Sequence, residues 1–169
     1  LNRGCIPTKT ILHTAELYHE LRSGESIGLK VTDAAVDMEA VQKRKEAVIE
    51  QLRGGIASLM KKNKITVCRG TGTIMDRGRV KVVLQAGQEK DAQNPEARSS
   101  GGPAGETVIL NTKNILIATG SWPAGLLAAG MDLPGVMTSD QLLERTEPIG
   151  HLLIIGGGVI GMEFASVYS

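Results

Sequence analysis

One stretch near the C-terminal end constrains the fold more than any other. Leu152-Leu-Ile-Ile155 runs into Gly156-Gly-Gly-Val-Ile-Gly161 and then into Met162-Glu-Phe-Ala-Ser-Val-Tyr168. The four aliphatic residues read as a strand buried on both faces, and the pattern after the glycines is helical. G-x-G-x-x-G in that setting, closing a strand and opening a helix, predicts a dinucleotide-binding turn in an α/β fold. The glycines permit a tight turn and let backbone amides approach a pyrophosphate, which sits at the positive end of the helix. The acidic residue expected about 20 positions further on falls at or past Ser169, so NAD and NADP are not separated here.

Composition agrees with such a fold. Gly is 21 of 169 residues, against an ordinary share of about 7%, while Trp, Tyr and Phe total four. A net charge of +1 argues against an electrostatic surface for nucleic acid or anionic lipid. The apolar runs are too short to span a bilayer. Two cysteines, Cys5 and Cys68, are too few for a secreted disulfide scaffold, and no signal peptide opens the chain. A reducing, cytoplasmic location is the expectation. The chain opens on Leu1 and stops within a helical pattern, so a piece of a longer protein is expected.

Along the chain, periodicity predicts a helix over 8–22 with Pro7 at its first position. A long helix over 37–63 follows, capped by Asp37 and carrying the stripe Val41, Val48, Leu52, Ile56 and Leu59. Gly54-Gly55 predicts a kink or a close contact within it. The run Lys43-Arg44-Lys45-Glu46 reads as a solvated face, the helix itself as a packing element. Strands are expected at 65–68, 72–74, 80–84 and 108–110. The segment 85–106, with no large apolar side chain, reads as an exposed hairpin loop. Buried strands are expected at 114–118 and 152–155, with a Pro- and Gly-rich crossover over 121–138. Ser139-Asp140 is the expected cap of a short helix over 141–145.

The N-terminal end, Leu1-Asn-Arg-Gly-Cys5-Ile-Pro-Thr-Lys9, sets a thiol just before a helix start, where the macrodipole favours negative charge. Lys9, four residues on, adds a positive field. From these residues alone, a reactive cysteine and a small packed residue are about equally good readings. Cys68 reads as buried. His13, His19 and His151 have no ligand spacing, and no metal site is expected.

Asn2-x-Gly4-Cys5-Ile-Pro7-x-Lys9 resembles the redox-disulfide segment of the flavoprotein disulfide reductases, the class I pyridine nucleotide-disulfide oxidoreductases. The resemblance continues in family order. Gly70-Thr-Gly72 is similar to the glycine pair beside the FAD adenine. Thr112-Lys-Asn-Ile-Leu-Ile-Ala-Thr-Gly-Ser121 is similar to the second FAD segment. Gly156 to Glu163 is similar to the nicotinamide-dinucleotide fingerprint with its trailing Glu. The long 85–106 insertion and the segment 122–135 depart from the family pattern.

The resemblance implies two nucleotide-binding (FAD/NAD) Rossmann-like domains, both incomplete: part of the FAD domain over 1–149 and the start of the NAD domain over 150–169. It implies Cys5 as one redox sulfur, its partner immediately before Leu1. Lys9 and Glu163 would pair beside the flavin, Glu163 placed in the first turn of its helix. FAD would be held by Lys9, Gly72, Thr119, Gly120 and Ser121, with Gly72 and 119–121 facing one cleft. NAD would be held by Gly156, Gly157, Gly158, Val159, Ile160, Gly161, Met162 and Glu163.

The Ile-Pro-Thr-Lys version is most similar to the dihydrolipoamide dehydrogenase branch. That branch implies a homodimer using FAD and NAD on a small or lipoyl-domain dithiol, in a 2-oxo acid dehydrogenase or glycine cleavage complex. The long helix would then lie near the dimer contact. The alternatives are a glutathione or mercuric reductase, a pyridine-nucleotide transhydrogenase whose cysteine forms no disulfide, and an inactive binding module.

Overall fold

The computed structural model describes residues 1–85, 105–125, 130–147 and 149–169. Contacts divide the chain into two units, one of Leu1–Arg53 with Trp122–Ser169, the other of Gly54–Ser121. The division falls inside the long helix, at Gly54.

In the first unit, helix α1 spans Cys5–Ser23, starting three residues earlier than its periodicity suggests. Pro7 is therefore its third residue. That position lies within the first turn, where a missing N–H costs no helical bond. Thr8 and Thr10 turn their hydroxyls back onto the Gly4 and Ile6 carbonyls, each at 2.8 Å, which lets both be buried. A 3-10 turn, Gly24–Ile27, follows, and Gly28 at φ 89° ends it in the left-handed region.

Helix α2 spans Met38–Lys62. Asp37 caps it as expected, accepting from the Ala40 amide at 3.0 Å. The helix runs through Gly54-Gly55, and a Cβ added at either would meet nothing within 4 Å. No close contact explains that pair. Val41 and Ile49 are buried, whereas Leu52, Ile56 and Leu59 of the expected stripe are exposed.

The short helix α3, Ser139–Leu143, is capped by Thr138 rather than by Ser139-Asp140. Thr138 and Gln141 form a reciprocal capping box. Helix α4 spans Val159–Tyr168 and packs on α1. Ile11 of α1, Val41 of α2, Leu142 and Leu143 of α3, and Phe164 of α4 form one buried cluster. Each such side chain is worth about 1.5–3 kcal/mol when buried, so this cluster fixes the four helices on one another.

The segment 152–155 is not a fully buried strand. Leu152 and Ile154 pack against the cluster, while Leu153 and Ile155 are 87% and 71% exposed. Its side chains alternate as in a strand, but no neighbouring strand among the described residues pairs with it.

The second unit holds an antiparallel sheet in the order β1-β2-β3, with β1 Gly70–Asp76, β2 Arg79–Leu84 and β3 Thr107–Asn111. Gly78, at φ 89°, turns β1 into β2, and Arg79 closes the turn on the Asp76 carboxylate. Val82 and Leu84 are buried on alternate positions of the central strand. Val83 faces Thr107 across the second hairpin, so the predicted hairpin forms, while 86–104 of its loop lies outside the described residues.

Two strands expected in this unit are absent. Residues 65–68 are irregular, with the Ile65 amide bonded back to the Met60 carbonyl at 2.9 Å to finish α2. Residues 114–118 form no ladder, and Leu116 and Ile117 are exposed. Their apolar run suits a central strand, but among the described residues no backbone lies alongside to complete the bonds. Cys68 is half-buried rather than buried. Of the expected crossover, 126–129 lies outside the described residues.

Candidate functional site

The site is built on α1 and α4. Cys5 opens α1 with an exposed, free thiol. Lys9 stands one turn further along, on the same side of the helix. Its Nζ donates to the Glu163 carboxylate on α4. The expected meeting of these distant residues is present in the structure. Lys9 is 55% exposed and Glu163 21%, so the pair sits at the mouth of the α1–α4 contact rather than in a dry interior. Glu163 is the fifth residue of α4, past the first turn expected for it. Core packing explains the encounter, because Ile11 and Phe164 share one cluster and lie two and one residues from the paired charges.

The glycine turn before α4 is selective about side chains. Gly156 has φ 111°, a conformation L-residues avoid. A Cβ at Gly161 would stand 2.5 Å from the Gly156 carbonyl oxygen and 3.1 Å from Ile154 Cγ2. Only a glycine lets α4 lie this close to the preceding chain. Gly158 caps α4 without a side-chain hydrogen bond, and its missing Cβ faces open space. The first-turn amides thus remain available to an anion. Gly157, Val159, Ile160 and Met162, also expected at the nucleotide, lie in this turn and the first turn of α4 and are all exposed.

In the second unit, Gly72 and Thr119, Gly120 and Ser121 are exposed. Gly120 has φ 81°, and nothing lies where its Cβ would be. Gly72 meets only Val80 Cγ1, at 3.8 Å. Both backbones are open to close approach, as a cofactor segment requires. Its neighbour Gly70 serves the sheet instead, since a Cβ there would collide with the Val83 carbonyl.

Several side chains escaped the sequence reading. Lys45 is not on a solvated face but fully buried. Gln42 and Lys45 both donate to the Leu143 carbonyl, at 3.0 Å. Arg44 donates to the Thr10 carbonyl at 3.1 Å. The helical spacing of Val41 and Lys45, which share one side of α2, was the available signal. Arg3 stacks over the Trp122 ring at 5.0 Å, tying the turn before Cys5 to the chain after Ser121. Burial pushes the Tyr168 hydroxyl above its ordinary range, partly opposed by Arg145. Among the described residues no cluster of metal-ligating side chains occurs, and no helix is long and apolar enough to cross a membrane.

Mixed helix and sheet with a tight glycine turn opening α4 agrees with a Rossmann-type α/β class. The chain belongs to the family described as pyridine nucleotide-disulphide oxidoreductase, which it matches over residues 1–169. It is 36% identical to a dihydrolipoyl dehydrogenase of Bacillus subtilis, over 99% of this chain and 33% of that protein. It is 34% identical to the dihydrolipoyl dehydrogenase of Chlamydia pneumoniae, over 99% and 32%. With that of Manduca sexta the identity is 35%, over 99% and 30%. The chain thus spans about a third of the length of these curated relatives.

Proposed function

We propose that the chain is part of an FAD- and NAD-dependent enzyme that reoxidises dihydrolipoamide through a redox disulfide containing Cys5. The observation that carries this reading is the ion pair between Lys9, one turn after Cys5, and Glu163, which follows the dinucleotide turn. It joins a thiol-bearing helix to a nucleotide-bearing helix. In this reading residues 1–149 contribute to FAD binding and 150–169 begin the NAD-binding domain.

FAD, when bound, supplies the two-electron chemistry between dithiol and nicotinamide. The chain's own residues prepare the place for it. Glu163 holds the Lys9 ammonium in one position, and a fixed cation favours negative charge developing beside it. Cys5 presents its sulfur at a helix start, where the dipole favours anionic species. The backbone at Gly72 and 119–121 admits FAD, and the turn 156–161 receives the nicotinamide dinucleotide. A dihydrolipoyl dithiol as substrate is supported by the names of the relatives; a homodimer working within a multienzyme complex completes the reading.

The test is dihydrolipoamide-dependent NAD reduction by the full-length, FAD-loaded protein, with lipoamide, glutathione disulfide and mercuric ion compared as acceptors from NADH in the reverse direction. Activity with dihydrolipoamide that Cys5→Ser abolishes is expected. Full activity in Cys5→Ser, or turnover only with glutathione disulfide or mercuric ion, would overturn the proposal.

A further inference from the structure

Lys45 is a fully buried ionisable side chain to which the proposed chemistry gives no role. Its ammonium lies 3.0 Å from the Leu143 carbonyl, 3.1 Å from Glu144 Oε1 and 3.2 Å from Glu46 Oε1. The ammonium donates to the first two and forms an ion pair with the third. Gln42, one turn earlier on α2, donates to the carbonyls of Leu143 and Arg145 at 3.0 and 2.9 Å. Together they satisfy carbonyls at the end of α3 that have no helical partner. Arg44, between them in sequence, reaches the carbonyl of Thr10, the residue after Lys9. Successive residues of α2 therefore grip α3 and α1.

We infer that Lys45 is a positioning residue: by fixing the end of α3 on α2, its ammonium sets the seat of α4 and so holds Glu163 opposite Lys9. Leu142 and Leu143, the second of which carries a gripped carbonyl, belong to the cluster that contains Ile11 and Phe164. Sliding α3 would reshape the surface on which Phe164 rests, and Glu163 is its neighbour. Stability alone gives a weak reason for a lysine here. An apolar side chain of similar volume often replaces a buried ion without loss, the Leu143 carbonyl would keep Gln42, and Glu144 and Glu46 are 69% and 63% exposed. Lys45→Met is therefore expected to fold, while the direction of the grip is lost.

The inference rests on the proposed function only where it predicts rates, because the Lys9–Glu163 pair is observed. The decisive experiment is direct. In full-length, FAD-loaded protein with isotope-labelled lysine, the Lys9 side-chain NMR signal is compared among variants. Lys45→Met should move it toward its position in Glu163→Gln, Lys45→Arg should return it, and combining Lys45→Met with Glu163→Gln should move it no further than Glu163→Gln alone. Gln42→Ala, which keeps Lys45, gives a smaller movement in the same direction and serves if Lys45→Met fails to fold. A Lys9 signal unchanged in Lys45→Met, or in Gln42→Ala where that variant must serve, overturns the inference. So do shifts that simply add in the double variant. In stopped flow, Lys45→Met should slow flavin reduction about ten- to a hundredfold, the scale of a small misplacement, with KM for the dithiol unchanged. If Glu163→Gln leaves that rate unaltered, the proposed function fails while the positioning result stands on the NMR arm.

Discussion

Three glycines of one turn should respond to the same substitution in three ways. Gly161→Ala puts a methyl 2.5 Å from the Gly156 carbonyl oxygen and 3.1 Å from Ile154 Cγ2. The nearer obstacle is backbone and cannot rotate aside, so α4 must lift. Overpacking of this kind costs about 1–3 kcal/mol, against a gain in helix propensity of about 1 kcal/mol. A net loss of up to about 2 kcal/mol is expected. Gly156→Ala forces an L-residue to φ 111° and should lose about 1–2 kcal/mol through backbone strain. Gly158→Ala differs. Its φ is −75° and nothing lies within 4 Å of the added methyl, so stability should stay within about 0.5 kcal/mol. The methyl would instead stand where a pyrophosphate approaches, and nucleotide affinity should fall at least about tenfold, or 1.4 kcal/mol. Urea unfolding and NADH titration of the full-length protein separate the two effects. Gly158→Ala that binds NADH like the parent, or that loses as much stability as Gly161→Ala, would refute the assignment of this turn.

Lys9→Ala should slow flavin reduction and change stability by no more than about 1 kcal/mol, because a pair with Lys9 55% exposed is strongly screened; an unchanged reduction rate counts against it. Arg79 holds the Asp76 carboxyl below its ordinary 3.8, mainly by hydrogen bonding. The folded value is depressed, so the stability it adds is present above pH 3.8 and is lost as pH falls through the lower folded value. NMR titration of Asp76 should show that midpoint, and Arg79→Ala should return it toward 3.8. In reduced protein, the exposed Cys5 should react with a soluble thiol reagent faster than the half-buried Cys68, and the reverse order would contradict the placement of α1.

The helices were legible because capping and period-3.6 burial are local properties. Asp37 sits at the start of α2 and Gly158 at the start of α4, and both ends fell within a residue of expectation. The Lys9–Glu163 pair was legible only through the family resemblance, since 154 residues separate its members and each alone reads as a solvated charge. Lys45 was misread for the opposite reason. A charged run on a helix is ordinarily a wet face, and only the tertiary placement of α3 supplies the carbonyl and carboxylates that make its burial tolerable. The cap of α3 shows the same limit at short range. Ser139-Asp140 and Thr138 are all good capping residues, and the reach of Gln141 back to the Thr138 amide, at 2.8 Å, selects the first position.

The missing strands carry the deeper lesson, because an apolar run specifies burial without specifying a partner. Leu152 and Ile154 turn toward the helical cluster while Leu153 and Ile155 remain open, so one face of 152–155 is covered and the other is not. Both faces have the composition of a central parallel strand, which needs neighbours on two edges and a layer on each side. Leu116 and Ile117 pose the same demand in the second unit. Each exposed aliphatic side chain forgoes about 1.5–3 kcal/mol that burial would return. Both segments read as strands by residue type, and 152–155 alternates as a strand in space, while 114–118 is exposed throughout. They lack only the ladder, which no property of their own sequence can supply.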